Sequence, residues 1–450
     1  MAAGQGKRMR SVRPKILHAL AGRPLVAHVL DAVRALDPRA IAVVVGHGGD
    51  AVRGALAAPD LAFVTQDPPR GTGDAVRVAL AALADDGVTL VVNGDCPLIP
   101  ATTLRALTRI AAAGRLAILT ARVGNPAGLG RVVRDANDAV RAILEDKDAS
   151  PAERALSEIY AGALAAPTAL LRRLAAALTN DNAQREFYLT DVVAAARKEG
   201  IAVEAHVAAG ETEVLGVNDH AQLAAIERIV QARAADALMK AGTSLADPAR
   251  IDIRGALKCG RDVRIDVGCV FKGVVELGDE VTIGAYCVLK NVTVGASTEI
   301  AAYSHLDSAT LGAHCRVGPY ARLRPGTTLA DDVHIGNFVE VKASDVGAGA
   351  KANHLAYIGD STVGAKVNVG AGTIVANYDG VNKHRTIIGD GASIGSNCVL
   401  VAPVKVGKGA TIGAGSTITA DAPDEQLTLA RTQQVTISGW RRPVKKAPPK

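Results

Sequence analysis

The chain has 450 residues, 48% of them hydrophobic and 21% charged, a balance that excludes an intrinsically disordered protein and suggests two or three packed domains. Its formal charge is +6, but the last ten residues hold Arg441, Arg442, Lys445, Lys446 and Lys450 without an acid, which leaves +1 for the rest. With aromatics at only 3%, the folded body offers neither the basic surface nor the stacking platforms of a nucleic-acid binder, so no nucleic-acid partner is expected.

No run approaches the roughly eighteen consecutive apolar residues of a membrane helix, and no membrane partner is expected. Six cysteines (Cys96, Cys259, Cys269, Cys287, Cys315 and Cys398) are scattered without close pairs. That pattern reads as free thiols of a reducing compartment, with neither a disulfide framework nor a zinc site. The first thirty residues are basic and lack acids, as a transit peptide would be, but they contain a single serine, and their glycines and cations sit at spacings that suit a binding loop. A cytoplasmic protein is expected.

Taken in chain order, the first feature is Ala2-Ala3-Gly4-Gln5-Gly6-Lys7-Arg8-Met9, followed by Pro14-Lys15. Glycines let backbone N–H groups approach an anion, and Arg8 and Lys15 can neutralise phosphate charge. Alone the motif reads equally as a basic surface loop. A helix is expected over Pro24–Leu36, with Leu25, Val26, Val29, Leu30 and Val33 on one stripe. Strands are expected at Ile41–Val45, Leu61–Val64, Val88–Val92 and Leu116–Val123, with an Ala-rich helix over Gly73–Ala84. This alternation implies a mostly parallel sheet covered on both faces, with ligands beyond the carboxyl ends of its strands. Asn93-Gly94-Asp95 ends one strand, where a carboxylate can hold a divalent cation against phosphates or can simply occupy a turn. A helix from about Asp219 to Ala241 leads to the turn at Gly242–Asp247–Pro248, where the domain boundary is placed.

Beyond that point the period changes to six. Ile388, Ile394, Leu400, Val406, Ile412 and Ile418 form one series, Leu311, Val317, Leu323, Leu329, Ile335 and Val341 a second, and Leu277, Ile283 and Leu289 a third. Six fits neither a helix nor a flat strand. It fits a hexapeptide β-helix, a triangular coil with the aliphatic residue pointing inward, of roughly eighteen residues per turn. The stretch from Val375 to Arg385 breaks the count and should project as a loop. Arg322-Leu323-Arg324 places guanidinium groups on alternate residues, and Lys342 follows Arg324 by one coil, so two cations should stack and suit a phosphate dianion. His354 and Tyr357 follow. A histidine beside an anion site is a natural general base, since its unperturbed pKa of about 6.5 suits neutral pH. The loop adds Asn377, Tyr378 and Lys383.

Taken together these motifs resemble the bacterial family of bifunctional N-acetylglucosamine-1-phosphate uridyltransferases / glucosamine-1-phosphate acetyltransferases, over essentially the whole chain. The resemblance implies an α/β Rossmann-like nucleotidyltransferase domain over residues 1–218, a linker helix over 219–242, a left-handed parallel β-helix over 243–440 and a basic tail over 441–450. It implies that Ala2, Ala3, Gly4, Lys15, Asn93 and Asp95 meet the nucleotide and its phosphates, that Gln66, Gly71 and Thr72 read the uracil, and that Gly130, Glu145, Tyr160 and Asn218 line the sugar site. Asp95 and Asn218 would bind Mg²⁺, although Asn218 also reads as a helix N-cap. In the second half His354 would be the base, Arg324, Lys342, Tyr357, Asn368 and Lys383 would hold glucosamine 1-phosphate, and Asn377, Tyr378, Ser396, Ala414 and Arg431 would serve acetyl-CoA. The implied co-substrates are acetyl-CoA and UTP, the intermediate is N-acetylglucosamine 1-phosphate, and the implied assembly is a homotrimer with Trp440 and the tail packing partly over a neighbour.

Three departures from the family pattern stand out. Lys7 occupies a position where the family has Thr. Asn93 replaces the family's Tyr while Tyr160 replaces its Asn, which suggests a reciprocal exchange. The family also enters its glycine loop from a buried strand, and here Met1 stands at the loop itself. Losing such a strand removes buried aliphatics at about 1.5–3 kcal/mol each and leaves neighbouring edges unpaired. Either the natural start lies upstream or the chain is an acetyltransferase with an impaired first domain. The joint retention of Lys15, Asp95 and Asn218 favours the former, and with His354 it speaks against a non-catalytic scaffold.

Overall fold

The computed structural model describes residues 1–4 and 6–443, without the Lys7 side chain; Gln5 and the tail from 444 onward, including Lys445, Lys446 and Lys450, lie outside the described residues. Residues 1–230 and 231–450 form two compact units. Among the described residues no helix is long and apolar enough to cross a membrane.

The first unit contains strands β1 (Ile41–Val45), β2 (Leu61–Thr65), β3 (Val88–Val92), β4 (Leu116–Arg122), β5 (Arg131–Arg134), β6 (Val140–Leu144), β7 (Glu158–Pro167) and β8 (Val203–Val207). Its longer helices are α1 (Leu25–Arg34), α2 (Gly49–Leu56), α3 (Thr72–Leu80), α4 (Ala101–Ala112), α5 (Thr168–Ala176) and α6 (Val192–Lys198), before α7 (His220–Lys240). The β-branched runs form strands where the sequence places them. The sheet is less parallel than expected. β1 pairs with β2 and β4 with β8 in parallel, but β7 runs antiparallel to β3, β4 and β5. β7 is built on Ala161, Ala163, Ala165 and Ala166, so it lacks the β-branched signature that marks the others. Helices cover both faces as expected, with Val76, Leu80, Leu171, Leu174 and Val192 on one side and Val29, Leu104 and Leu107 on the other.

β1 carries β2 on one edge and β3 carries β7 on one edge, and the two are not joined in one sheet. Between them lies a cavity of about 570 Å³ lined by Ile41–Val44 and Val88–Val92. Residues 1 and 2 enter it at one end. The Met1 amine donates to the Val92 carbonyl at 2.5 Å, Ala2 N–H donates to the Val44 carbonyl at 2.9 Å, and Gly94 N–H donates to the Met1 carbonyl at 2.8 Å.

The second unit is the parallel β-helix that the six-residue period predicts. Every aliphatic of the three series is buried, none more than 4% exposed. One face is a ladder of short parallel strands from Ser244–Leu245 to Leu427–Thr428. The other two faces share the long strands Ile251–Cys259, Cys269–Leu277 and Val288–Val294, then separate into two ladders. The glycines that follow the aliphatics act by leaving space. A Cβ on Gly395 would lie 2.5 Å from the Ala414 nitrogen, so only glycine lets one coil settle on the next. Val375 remains in the core at 1% exposure, so the projecting loop begins at Asn377 rather than Val375 and runs to Arg385. The first half of α7 packs Ile226 and Ile229 into the first unit's core, while its second half places Ala235 in that of the second, which puts the division inside the helix rather than at 242–248.

Candidate active sites

In the first unit the glycine loop places its functional side chains by close packing. A Cβ on Gly6 (φ +58°) would sit 2.7 Å from Lys15 Cβ, so the bare glycine seats the lysine stem. A Cβ on Gly4 would meet nothing within 4 Å, which leaves its backbone open to an incoming group. Ala2 is buried and bonded to β1, and Ala3 lies against Gly46. Arg8 is exposed. Lys15 Nζ forms a short ion pair with Asp95 Oδ2 and donates to Asn218 Oδ1 at 3.3 Å. The N-cap of α7 is not Asn218 but Asp219, whose carboxylate accepts from Gln222 N–H at 2.8 Å, and this frees the Asn218 side chain to face Lys15.

Gln66 is buried and donates through Nε2 to the Gly71 carbonyl and to Asp74 Oδ2, both at 2.9 Å. The polar atom left to meet a base is Oε1. Gly71 (φ +111°) abuts the Phe187 backbone, and Thr72 Oγ1 accepts from Leu189 N–H at 2.9 Å. A further group joins Gly130, Glu145 and Tyr160. Tyr160 N–H donates to the Gly130 carbonyl at 2.8 Å, and Thr190 Oγ1 donates to Glu145 Oε1 at 2.9 Å. Burial, more than its neighbours, raises the Glu145 carboxyl, and burial followed by the Glu145 charge raises the Tyr160 phenol. Asn218 makes its contacts with Lys15 and not with this group.

In the second unit the coil register brings the predicted cations together. Arg322 pairs with Glu340 and Glu340 with Tyr357, steps of one coil each. Glu340 accepts from Arg324 at 2.9 Å and from Arg322 at 3.4 Å, and Asp360 accepts from Lys342 at 3.3 Å. Lys383, on the loop, lies close to Lys342, and the proximity and charge of Lys342, with a smaller effect of Arg324, draw the Lys383 amine below its ordinary value. Four cations, Arg322, Arg324, Lys342 and Lys383, thus share one patch with the carboxylates of Glu340 and Asp360. Asn377 bonds Asp360 through a short contact and meets the Tyr357 hydroxyl at 3.5 Å. Tyr378 donates from its hydroxyl to the Gly380 carbonyl at 2.5 Å. Asp379 pins the loop by accepting from Val381 and Asn382 N–H groups and from His384 Nε2 at 2.6 Å. His384, with the backbone donors after it, holds the Asp379 carboxyl far below the usual range.

His354 is exposed on the neighbouring face, three residues before Tyr357. Its Nδ1 lies 2.9 Å from Asn337 Oδ1, an arrangement that puts the proton on Nδ1 and leaves Nε2 basic. Asn368 is on the same face as the His354 strand, one coil on, and is not joined to the cation patch. Ser396 and Ala414 occupy successive coils, and Arg431 donates to the Ala414 carbonyl at 3.0 Å. Sequence reasoning missed Asn337, Glu340 and Asp360. All three lie seventeen or eighteen residues from a residue it did single out, so extending the coil step to acids and amides would have found them.

Residues 1–243 match the family model of the MobA-like NTP transferase domain, 253–348 that of the GMPPB C-terminal domain, and 385–420 that of the bacterial transferase hexapeptide (six repeats). Over 99% of its length the chain is 56% identical to the bifunctional protein GlmU of Methylibium petroleiphilum and of a Janthinobacterium species, and 55% identical to that of Ralstonia nicotianae, covering 98% of each. The chain belongs to the GlmU family. Its first unit is the nucleotidyltransferase of that family and its second the hexapeptide acetyltransferase. A solved structure described as a putative glucose-1-phosphate thymidylyltransferase from Bacillus anthracis aligns over 51% of the chain and 92% of its own length, with 19% identity and a TM-score of 0.42, too slight a likeness to add to these.

The resemblance implies a reciprocal exchange of Asn93 and Tyr160. Asn93 bonds Gly162 O through its N–H at 2.9 Å, and its side chain fills the space beside that glycine (φ +75°). A tyrosine at position 93 alone would meet this crowding. The double exchange Asn93→Tyr with Tyr160→Asn should therefore keep the KM for sugar phosphate in uridylyl transfer closer to wild type than either single change does. Strictly additive effects would defeat the idea.

Proposed function

We propose that this enzyme first acetylates glucosamine 1-phosphate and then uridylylates the product, working in the cytoplasm as a homotrimer. The observation that carries the reading is the convergence of Lys15, Asp95 and Asn218, up to 203 residues apart, on one ammonium. Two hard oxygens facing one cation are a donor set that suits Mg²⁺. Asp95 and Asn218 would hold that ion, and when bound it supplies charge neutralisation at the triphosphate. Lys15, with Arg8 and the open Gly4 backbone, orients the phosphates of UTP. Gln66, Gly71 and Thr72 bind the base, and Gly130, Glu145 and Tyr160 bind the sugar. The phosphate oxygen of N-acetylglucosamine 1-phosphate then attacks the α-phosphorus, and the bond to pyrophosphate breaks. Such transfers depend on positioning and charge neutralisation.

In the second unit Arg324, Lys342 and Lys383 hold the phosphate of glucosamine 1-phosphate, and Tyr357, Asn377 and Asn368 position the sugar. Asn337 fixes the His354 tautomer so that Nε2 takes the proton as the amine attacks the thioester of acetyl-CoA, and the coenzyme thiolate leaves. Tyr378, Ser396, Ala414 and Arg431 bind the coenzyme. Six free cysteines accord with a reducing compartment. Trimerisation is supported by an exposed corner where Tyr286, Tyr303, Tyr320 and Phe338 stack at 4.9–5.4 Å and Leu355 continues the line beside His354. Such a stripe is suited to burial against another copy.

Assays of coenzyme A release and of pyrophosphate release on the full chain read the two activities separately. His354→Ala should lower acetyl transfer by about 10²–10⁴-fold and leave uridylyl transfer unchanged, while Asp95→Asn does the reverse. Acetylation retained in His354→Ala would refute the assignment, and an unaltered chain without pyrophosphate release would refute the uridylyl-transfer reading.

A further inference from the structure

Asp360 lies where the loop Asn377–Arg385 leaves and rejoins the coil. Its backbone joins three coils, because its N–H donates to the Lys342 carbonyl at 2.9 Å and its own carbonyl accepts from Thr386 N–H, at the returning end of the loop, at 3.2 Å. Its carboxylate accepts from Lys342 Nζ at 3.3 Å and from Asn377 Nδ2, the first residue of the loop, by a short contact. Asn377 in turn meets the Tyr357 hydroxyl. One residue therefore touches a cation of the patch and both ends of the loop.

We infer that Asp360 is a positioning residue for acetyl transfer, a clamp that holds Lys342 toward the phosphate and the loop in the conformation that presents Asn377, Tyr378 and Lys383. This rests on the acetyltransferase reading above and goes beyond it by assigning a role to a side chain outside the substrate-holding set. The chemistry fits. Four cations in one patch repel each other, and a carboxylate within hydrogen-bonding distance fixes a flexible lysine that would otherwise swing into solvent. Glu340 performs this service for Arg322 and Arg324 only, whereas Asp360 also secures the loop. The backbone at Asp360 is left-handed (φ +49°), a conformation that Asp, Asn and Gly adopt most readily.

That conformation selects the test. Asp360→Asn keeps an acceptor for Asn377 but removes the charge facing Lys342, and Asp360→Gly removes both without backbone strain. Both are made in the full chain, with uridylyl transfer as the control for folding. Asp360→Gly should raise the KM for glucosamine 1-phosphate about tenfold and that for acetyl-CoA about threefold, leave kcat within about threefold, and speed amide exchange across Asn377–Arg385. Asp360→Asn should restore slow loop exchange and the acetyl-CoA KM, but not the whole of the sugar-phosphate KM. Loss of thermal stability with both KM values unchanged would overturn the inference, as would a fall in kcat of a hundredfold at constant KM, which would make Asp360 a catalytic residue. Failure of the acetyltransferase reading would show separately, as absence of acetyl transfer to glucosamine 1-phosphate by the unaltered chain.

Discussion

The second unit depends on one constraint: each hexad must bury its aliphatic residue inside a prism while the next coil settles on it in parallel register. Strands stacked this way are about 4.8 Å apart, so outward-facing residues one coil apart become neighbours. Leu323 and Val341 meet the constraint inside, and Arg324 and Lys342 are brought together outside as its consequence. The interior supplies the stability, and the cationic patch is carried by it. Glu340 and Asp360 offset the repulsion, and a phosphate dianion would complete the balance.

The first unit solves a similar problem with different means. Lys15, Asp95 and Asn218 come from a glycine loop, a strand end and the entry to a helix, and only the fold brings them together. Gly6 seats Lys15, and Asp219 takes over the capping that would otherwise engage Asn218. Next to this cluster the facing edges of β1 and β3 are separated by a cavity that Met1 and Ala2 line at one end.

The prism was legible because burial writes a strict six-residue period, and the four β-branched strands of the first unit were legible for the same reason. β7 was not, since alanines pack at the centre of the sheet without a strand signature, and its antiparallel run upset the expected parallel topology. The cation stack followed from counting, but Asn337, Glu340 and Asp360 did not, because amides and acids at ordinary positions look like solvated surface until the coil step aligns them. The roles proposed for Gln66, Gly130 and Glu145 rest on resemblance, since nothing local in the sequence marks them. The loop start moved to Asn377 because Val375, inside the broken count, still fits the core.

The central claim is that coil register makes Arg324 and Lys342 act on one phosphate. A double-mutant cycle of Arg324→Ala and Lys342→Ala, read as affinity for glucosamine 1-phosphate by calorimetry on the full chain, tests it most directly. The account predicts losses of about tenfold or more for each change and a combined loss that departs from their product by about threefold or more, as for two groups sharing a partner. Independent effects that multiply, or no loss from either change, would contradict it.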